Sequence, residues 1–487
     1  MITNEQRAKY IPTIGIECHV QLKTKTKLFS GANNDARDAE PNTMVSPICF
    51  GLPGTLPVLN REVVNLAVRA GVALKSEVAE RSYFERKHYF YPDLPKGYQI
   101  TQLAHPTIGP GSVTIRLSDG SKKVVRIHHA HIEEDAGKLT HPTGVDYSLV
   151  DLNRAGTPLI EIVSQPDMHS SEEAKLFAQE LYLLMTYADV TYGDLYHGNM
   201  RFDVNVSVAE DGQPLGTRTE TKNLNSFKAV ERAVEFEVER QIALLEKGEV
   251  IVQETRGWNE DRQATFSQRS KEDAHDYRYF PDADLPPIHL NSVFIETIRG
   301  AMPKLPDDYR AVFRQLGLDE SVELALLASR SSGDLVIRLS EANQAAAARR
   351  VALWFTSAID TRQDEGRMIE NTNGVVSDDH FVMLSEMIEA NELSSTAAKE
   401  VFNEMLRTGG EPKTIAEQKN LLQVSDENAI AAVVDEVLAD PANTQALDDI
   451  RNGNERTIGF LVGQVMKKSA GKANPKLAQQ LIKEKLT

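Results

Sequence analysis

The chain has 487 residues, with 54 Lys+Arg against 71 Asp+Glu and a formal net charge of −17. At 41% hydrophobic and 26% charged residues it is composed like a globular protein, and it is too long for one core, so two or three domains are expected. Two cysteines exclude a disulfide scaffold and suit a reducing cytoplasm, no apolar run approaches the roughly 20 residues of a membrane span, and the acidic total argues against nucleic acid as a partner.

The N-terminus, Met1 to Arg7, has no apolar stretch after a basic start, so no secretory signal is expected. The first element is a strand. Ile14, Ile16, Cys18, Val20 and Leu22 lie on one face, while Glu17, His19 and Gln21 lie on the other. Val124 to Glu133 and Leu159 to Val163 read as further strands, and Arg201 to Val208 alternates again, with Asp203 and Asn205 on its polar face. A helix is expected from Ser170, where Glu173 three residues on suggests a capping box. Another carries Phe227, Val230, Val234, Val238, Ile242 and Leu245 at 3–4 spacing and stops at Gly248. The prolines of Pro281 to Pro287 read as a stiff boundary. Helical periodicity follows from Val293 to Leu406, closed by Gly409-Gly410, and again to the end. The expected fold class is α+β: a domain with a largely antiparallel sheet over residues 1–290, then all-α domains over 291–408 and 409–487, the last module beginning as early as 335 in one reading.

Charge divides along the same line. From Glu455 to the end there are seven Lys or Arg against two Glu, a net of +5, which leaves −22 on the preceding 454 residues. Such a tail can meet phosphates locally despite the acidic total.

The candidate chemistry is carboxylate-rich. Glu17 and His19, two apart on a strand, stand about 6.5–7 Å apart on one surface, although an isolated Glu-x-His is ordinarily a solvated sheet face. Glu133, Glu134 and Asp135 are three consecutive acids, which repel one another unless a cation compensates. Glu161 lies in the apolar run Leu159 to Val163, where a carboxylate needs a partner. With Asp203 these give hard oxygen donors and one imidazole, suited to Mg²⁺. Zinc is not expected: His129-x-His131 lacks thiolate companions, Cys18 faces away from Glu17 and His19, and Ser46 stands where Cys49 would need its partner. There is no P-loop, no G-x-G-x-x-G and no nucleophilic Cys–His pair. Basic and aromatic residues interleave in Arg86 to Pro92 and in Asp276 to Pro281, strips that suit either a pocket lining or an aromatic core edge.

These segments together resemble one family, the B subunits (GatB) of the aspartyl/glutamyl-tRNA amidotransferases. The likeness rests on Ile14 to Leu22, Gly51 to Asn60, Lys87 to Lys96, Glu133 to Lys138, Leu149 to Glu161, Lys222 to Ser226, Asp276 to Pro281, Gly459 to Lys467 and Ala473 to Pro475, in order along almost the whole chain. It implies a cradle-shaped catalytic domain, a helical domain and a tRNA-binding tail. It implies a reaction in which ATP phosphorylates the side-chain carboxylate of Glu or Asp mischarged on tRNA, and ammonia then displaces phosphate. That ammonia would come from glutamine hydrolysed by the A-type subunit of a heterotrimer, the C-type subunit being a further partner, since this chain has no Gly-Gly-Ser-Ser amidase signature. Carried over by residue, Glu17, His19 and Glu133 resemble ligands of one Mg²⁺ site, with Glu161 and Asp203 as the acidic groups beside them. Lys87, Tyr89, Tyr91, Asn205 and Arg278 would meet the nucleotide, Lys87 also serving catalysis. Many relatives carry a zinc knuckle before the Gly51–Gly54 motif; here one cysteine remains, so packing and hydrogen bonds are expected to hold that loop. The rivals are a Mg²⁺-dependent phosphohydrolase or nuclease and a non-catalytic tRNA-binding subunit. The archaeal GatE-type relatives carry a large inserted domain for which 487 residues leave no room.

Overall fold

Alternation of β-branched and polar side chains makes Tyr10–Gln21 a strand, β1, near the middle of an eight-stranded sheet in the computed structural model. The structure describes residues 2–270, 277–358, 376–423, 427–451, 457–469 and 473–486. Asp276, Glu455, Arg456, Lys472 and residues 359–375 of the expected helical stretch lie outside the described residues. Two units divide between Leu305 and Pro306.

The first unit carries the strands. After β1 come β2 (Arg81–Ser82), β3 (Glu85–His88), β4 (Tyr98–Thr101), β5 (Gly111–Arg116), β6 (Lys122–Glu134), β7 (Lys138–Thr140), β8 (Leu149–Asp151), β9 (Pro158–Ser164), β10 (Met200–Glu210), β11 (Thr219–Leu224), β12 (Glu254–Asn259), β13 (Ala264–Ser270), β14 (Phe280–Pro281) and β15 (Ile288–His289). The large sheet runs β13-β12-β11-β10-β1-β9-β6-β5, antiparallel except between β11 and β12. A three-stranded sheet, β14-β3-β4, lies beside β6.

One face of the large sheet is the core. Ile14, Ile16, Cys18, Val20 and Leu22 are each at most 1% exposed, as the alternation requires. Helices α1 (Asn4–Ala8), α2 (Arg61–Ala73), α3 (Ser171–Tyr187) and α4 (Phe227–Leu245) precede, link and follow the strands, and α3 and α4 pack together against this side. Val230, Val234, Val238 and Ile242 of α4 are buried, each such side chain stabilising the fold by about 1.5–3 kcal/mol over exposure. Gly248, at φ 73°, stands just past the end of α4. The box expected at the start of α3 is only half formed. Ser170 Oγ accepts from Glu173 N at 3.1 Å, but the Glu173 carboxylate turns to His169 N at 2.6 Å and Lys123 Nζ at 2.8 Å. The nearby cation on β6 outcompetes the cap backbone.

The proline-rich segment is stitched into this unit: Phe280 and Pro281 pair with Arg86 and Glu85, Asp282 binds Arg86 Nε at 2.7 Å, and Ile288 pairs with Ser82. The loop between β1 and α2 is held by hydrogen bonds. Asn34 donates to Leu22 O and Thr24 O, Asn153 donates to Glu40 O, and the buried Lys27 ammonium donates to Ala155 O at 2.7 Å beside Cys49 Sγ at 3.5 Å.

The second unit is helical over its described residues. Helix Ser395–Thr408 ends at Gly409, φ 73°, the left-handed cap that its sequence predicts. The last helices, Glu427–Leu438, Thr444–Arg451, Ile458–Lys468 and Pro475–Leu486, share a core of their own around Val434, Leu461, Val465 and Ile482. Among the described residues no helix is long and apolar enough to cross a membrane.

Candidate active site

The polar face of the large sheet carries the site, and strand register assembles it. His19 of β1 stands opposite Arg201 of β10 and Glu161 of β9, and Glu161 stands opposite His131 of β6. Four strands therefore set Arg201, His19, Glu161 and His131 in one row, with the carboxylate between the two imidazoles. Glu133, two residues along β6 from His131, completes the cluster. His19 Nε2 lies 3.4 Å from Glu161 Oε2 and 3.7 Å from Glu133 Oε1, and His131 Nε2 lies 3.5 Å and 3.6 Å from oxygens of the same two carboxylates.

The electrostatics follow from this packing. Burial pulls the His19 imidazole down, but the hydrogen bond and charge of Glu161, with Asp203 and Glu133, raise it to about 9. His131 is also raised against burial, by Glu133 and Glu161. Burial lifts the Glu161 carboxyl, yet His19, His131 and Lys87 hold it well below the usual carboxylate range. Behind His131, His129 Nε2 meets its Nδ1 at 3.1 Å. Burial and the neighbouring His131 and His128 depress His129 to about 4, so it orients His131 as a neutral ring.

His19, Glu133 and Glu161 offer one nitrogen and two carboxylate oxygens within 4.8 Å of one another, and they are the metal-compatible group among the described residues. The donor chemistry fits a hard divalent cation. Glu17 and Asp203, also expected as ligands, face each other across β1 and β10 outside this group. Glu17 Oε1 accepts from Asn205 Nδ2 at 2.9 Å, and burial with Glu161, Glu220 and Asp203 pushes its carboxyl up. Asp203 is buried and committed to Asn223 N at 2.8 Å, with Lys222 Nζ at 3.5 Å.

The small sheet brings the aromatic strip to the same place. Lys87 Nζ lies 5.0 Å from the Tyr277 ring centroid, and its charge reaches Glu161. Tyr89 meets Tyr277 edge-on, its phenol raised by burial and by Glu133, Asp93, Glu134 and Asp135. Tyr279 is raised likewise by burial and by Glu133, Tyr277 and Glu161. Tyr91 is exposed, and Arg278 contributes its backbone carbonyl to His88 Nδ1 at 3.1 Å while its side chain is exposed.

His131 and Arg201 were not among the expected site residues. For His131 the signal was present: the period of two that couples Glu17 to His19 also couples His131 to Glu133. The same period couples Arg201 to Asp203, but that Arg201 stands opposite His19 depends on which strand lies beside β1.

Comparison with known proteins agrees along the chain. Residues 12–296 match the model of the GatB/GatE catalytic domain, and residues 339–486 match that of the GatB domain. The chain is 48% identical to an aspartyl/glutamyl-tRNA(Asn/Gln) amidotransferase B subunit from Alcanivorax borkumensis, over 97% of this chain and 98% of that one. Those of Thioalkalivibrio sulfidiphilus and Persephonella marina are 46% and 44% identical, over 97% and 98% of this chain and 98% and 100% of theirs. A sheet face bearing two histidines against two glutamates, in a chain this similar from end to end, belongs to the family of aspartyl/glutamyl-tRNA(Asn/Gln) amidotransferase B subunits.

Proposed function

We propose that this chain is the amidating subunit of a tRNA-dependent amidotransferase, a glutamine-dependent ligase of the translation machinery in the cytoplasm. It works with two partner chains, the A-type glutaminase and a C-type subunit. The observation that carries the reading is the convergence of His19, Glu133 and Glu161 within 4.8 Å beside Lys87. The side-chain carboxylate of Glu on tRNA(Gln), or of Asp on tRNA(Asn), attacks the γ-phosphorus of ATP, and the bond to the ADP oxygen breaks. Ammonia then attacks the carbonyl carbon of the acyl phosphate, and the C–O bond to phosphate breaks. The surplus proton on nitrogen leaves with the phosphate.

A Mg²⁺ ion held by His19, Glu133 and Glu161 would neutralise phosphate oxygens. The chain's own groups do the rest. Lys87 supplies fixed positive charge to the transferred phosphoryl, Asp203 adds to the field around His19, and Asn205 orients Glu17. Tyr89, Tyr277 and Tyr279 wall the acyl phosphate from water. Residues 1–290 form the catalytic domain, 291–408 the helical domain and 409–487 the tail that meets tRNA.

In the assembled enzyme, Glu161→Gln and His19→Ala are each expected to abolish amidation with either glutamine or ammonium chloride while tRNA affinity changes less than about twofold. Amidation that survives both changes would make the chain a tRNA-binding subunit only. Turnover of RNA or phosphoesters by the chain alone, without ammonia, would make it a phosphohydrolase.

A further inference from the structure

Two reactive side chains that the amidation does not use meet in the loop between β1 and α2. Lys27 is 1% exposed and Cys49 is 6% exposed. The Lys27 ammonium donates to Ala155 O at 2.7 Å and to Leu152 O and Cys49 Sγ at 3.5 Å each, and Ser46 Oγ lies 3.3 Å from the same sulfur. Its partners are thus two carbonyls and a thiol, with no carboxylate in ion-pair contact among the described residues, a costly place for a charge. Burial pulls the ammonium below its ordinary value, against Cys49, Asp151 and Glu134, and so favours the neutral, nucleophilic amine. Cys49 packs with Leu152 and Ala155 in a small apolar cluster. A cavity of about 20 Å³, lined by Lys27, Cys49, Asp93, Lys96, Glu134 and Gly156, reaches both groups. That is room for one water-sized molecule. Gly156, at φ 81°, leaves the approach open: a Cβ there would stand 3.6 Å from Lys27 Cδ and 3.9 Å from Cys49 Sγ.

We propose that Lys27 and Cys49 are a modification site for hydrogen peroxide, at which the two side chains join in a reversible sulfenamide bond. Peroxide, little larger than water, enters the cavity beside the thiol. The sulfur electron pair attacks one peroxide oxygen, the O–O bond breaks, and the leaving hydroxide takes the thiol proton as water. The thiol is oxidised by two electrons to a sulfenic acid and the peroxide is reduced. The neutral Lys27 amine then attacks that sulfur. The S–N bond forms, the S–O bond breaks, and hydroxide leaves with an amine proton as water. The hydrogen that remains on nitrogen can still donate to Ala155 O, so the cross-link keeps the contact that holds the loop. The bond stops Cys49 short of the irreversible sulfinic acid, and thiols restore it by attack on the sulfur. The inference stands apart from the amidotransferase reading and does not depend on it.

The test treats the wild-type chain, assembled with its partner subunits, with hydrogen peroxide and digests it with trypsin without reduction. The expected product joins residues 26–37 to residues 38–61, uncleaved at Lys27, with a mass about 2 Da below the sum of the two peptides. Dithiothreitol restores cleavage at Lys27 and the free thiol. Cys18, 0% exposed on the core face of β1, stays reduced and is the internal control. In Lys27→Arg the guanidinium keeps the charge but is no nucleophile, so Cys49 runs on to the sulfinic acid, about 32 Da heavier, which dithiothreitol does not reverse. The wild-type digest decides the matter even where Lys27→Arg fails to fold. A wild-type Cys49 that is oxidised while Lys27 is still cleaved, or that peroxide leaves as the free thiol, would overturn the assignment.

Discussion

At His19 the protein holds a proton between carboxylates that would otherwise repel one another. The imidazole rises to about 9 because Glu161, Asp203 and Glu133 outweigh the cost of its burial. A divalent cation held by His19, Glu133 and Glu161, as proposed, would displace that proton from the ring. His131 faces the same two carboxylates from the next strand but one and fixes their direction. Removing an orienting partner of this kind costs about 10–100-fold in metal affinity. His131→Ala is therefore expected to weaken Mn²⁺ binding by that factor in an electron paramagnetic resonance titration, with circular dichroism unchanged. An unaltered Mn²⁺ affinity would leave His131 a packing residue. The residue types of the site were legible in the sequence, because Glu161 in an apolar run and three adjacent acids each demand a partner. Their partners were not. His129-x-His131 reads as easily as a surface pair, and only the neighbouring strands turn it toward Glu161.

Helix α4 shows the same limit one level up. Its apolar stripe and its stop at Gly248 are plain in the spacing, yet the same helix buries Glu237 completely. The carboxylate is held by Arg240 at 2.8 Å, Arg256 of β12 at 2.9 Å and the Thr219 hydroxyl of β11 at 2.9 Å. Glu237→Ala strands Arg256 in the interior, and breaking such a pair costs about 3–5 kcal/mol. The low end is expected, since Glu254 still holds Arg256, and urea unfolding measures it. Burial raises the Glu237 carboxyl, but Arg240, Thr265 and Arg256 bring it below the ordinary value of 4.5. The stabilisation is thus complete above pH 4.5 and is lost as pH falls through the lower folded value. Thermal melts between pH 7 and pH 3 should show the loss in the wild type and a flatter profile in Glu237→Gln. At α3, Ser170→Ala costs about 1 kcal/mol through the lost cap. Glu173 contributes through His169 and Lys123 instead of the reciprocal bond the sequence suggests. A local pattern names a cap, and the nearest tertiary cation decides where the carboxylate goes.

For the whole molecule, the −17 total conceals an acidic body and a basic end of net +5. The structure sharpens that end. Lys468 pairs with Glu436 at 3.4 Å and Lys485 with Asp435, both acids from helix Glu427–Leu438, whereas Lys467 and Lys476 are exposed. The proposed tail contact with tRNA therefore falls more heavily on Lys467 and Lys476. Replacing both by alanine is expected to lower the slope of log affinity against log salt by about one for each lysine that meets a phosphate. The paired Lys468 and Lys485 change it less, and equal slopes in the two double variants would remove the distinction. By itself the sequence determined which residues share a strand face, where helices begin and end, and that hard oxygen donors gather in the N-terminal part, because periods of two and 3.6 and the cost of burying charge are local rules. Only the tertiary structure decided that β1 lies between β9 and β10, and so that His19 meets Glu161 and Arg201 while Glu17 meets Asp203. Those pairings join residues far apart in the chain, and their register is fixed by packing one whole face of the sheet against α3 and α4, which no local pattern encodes.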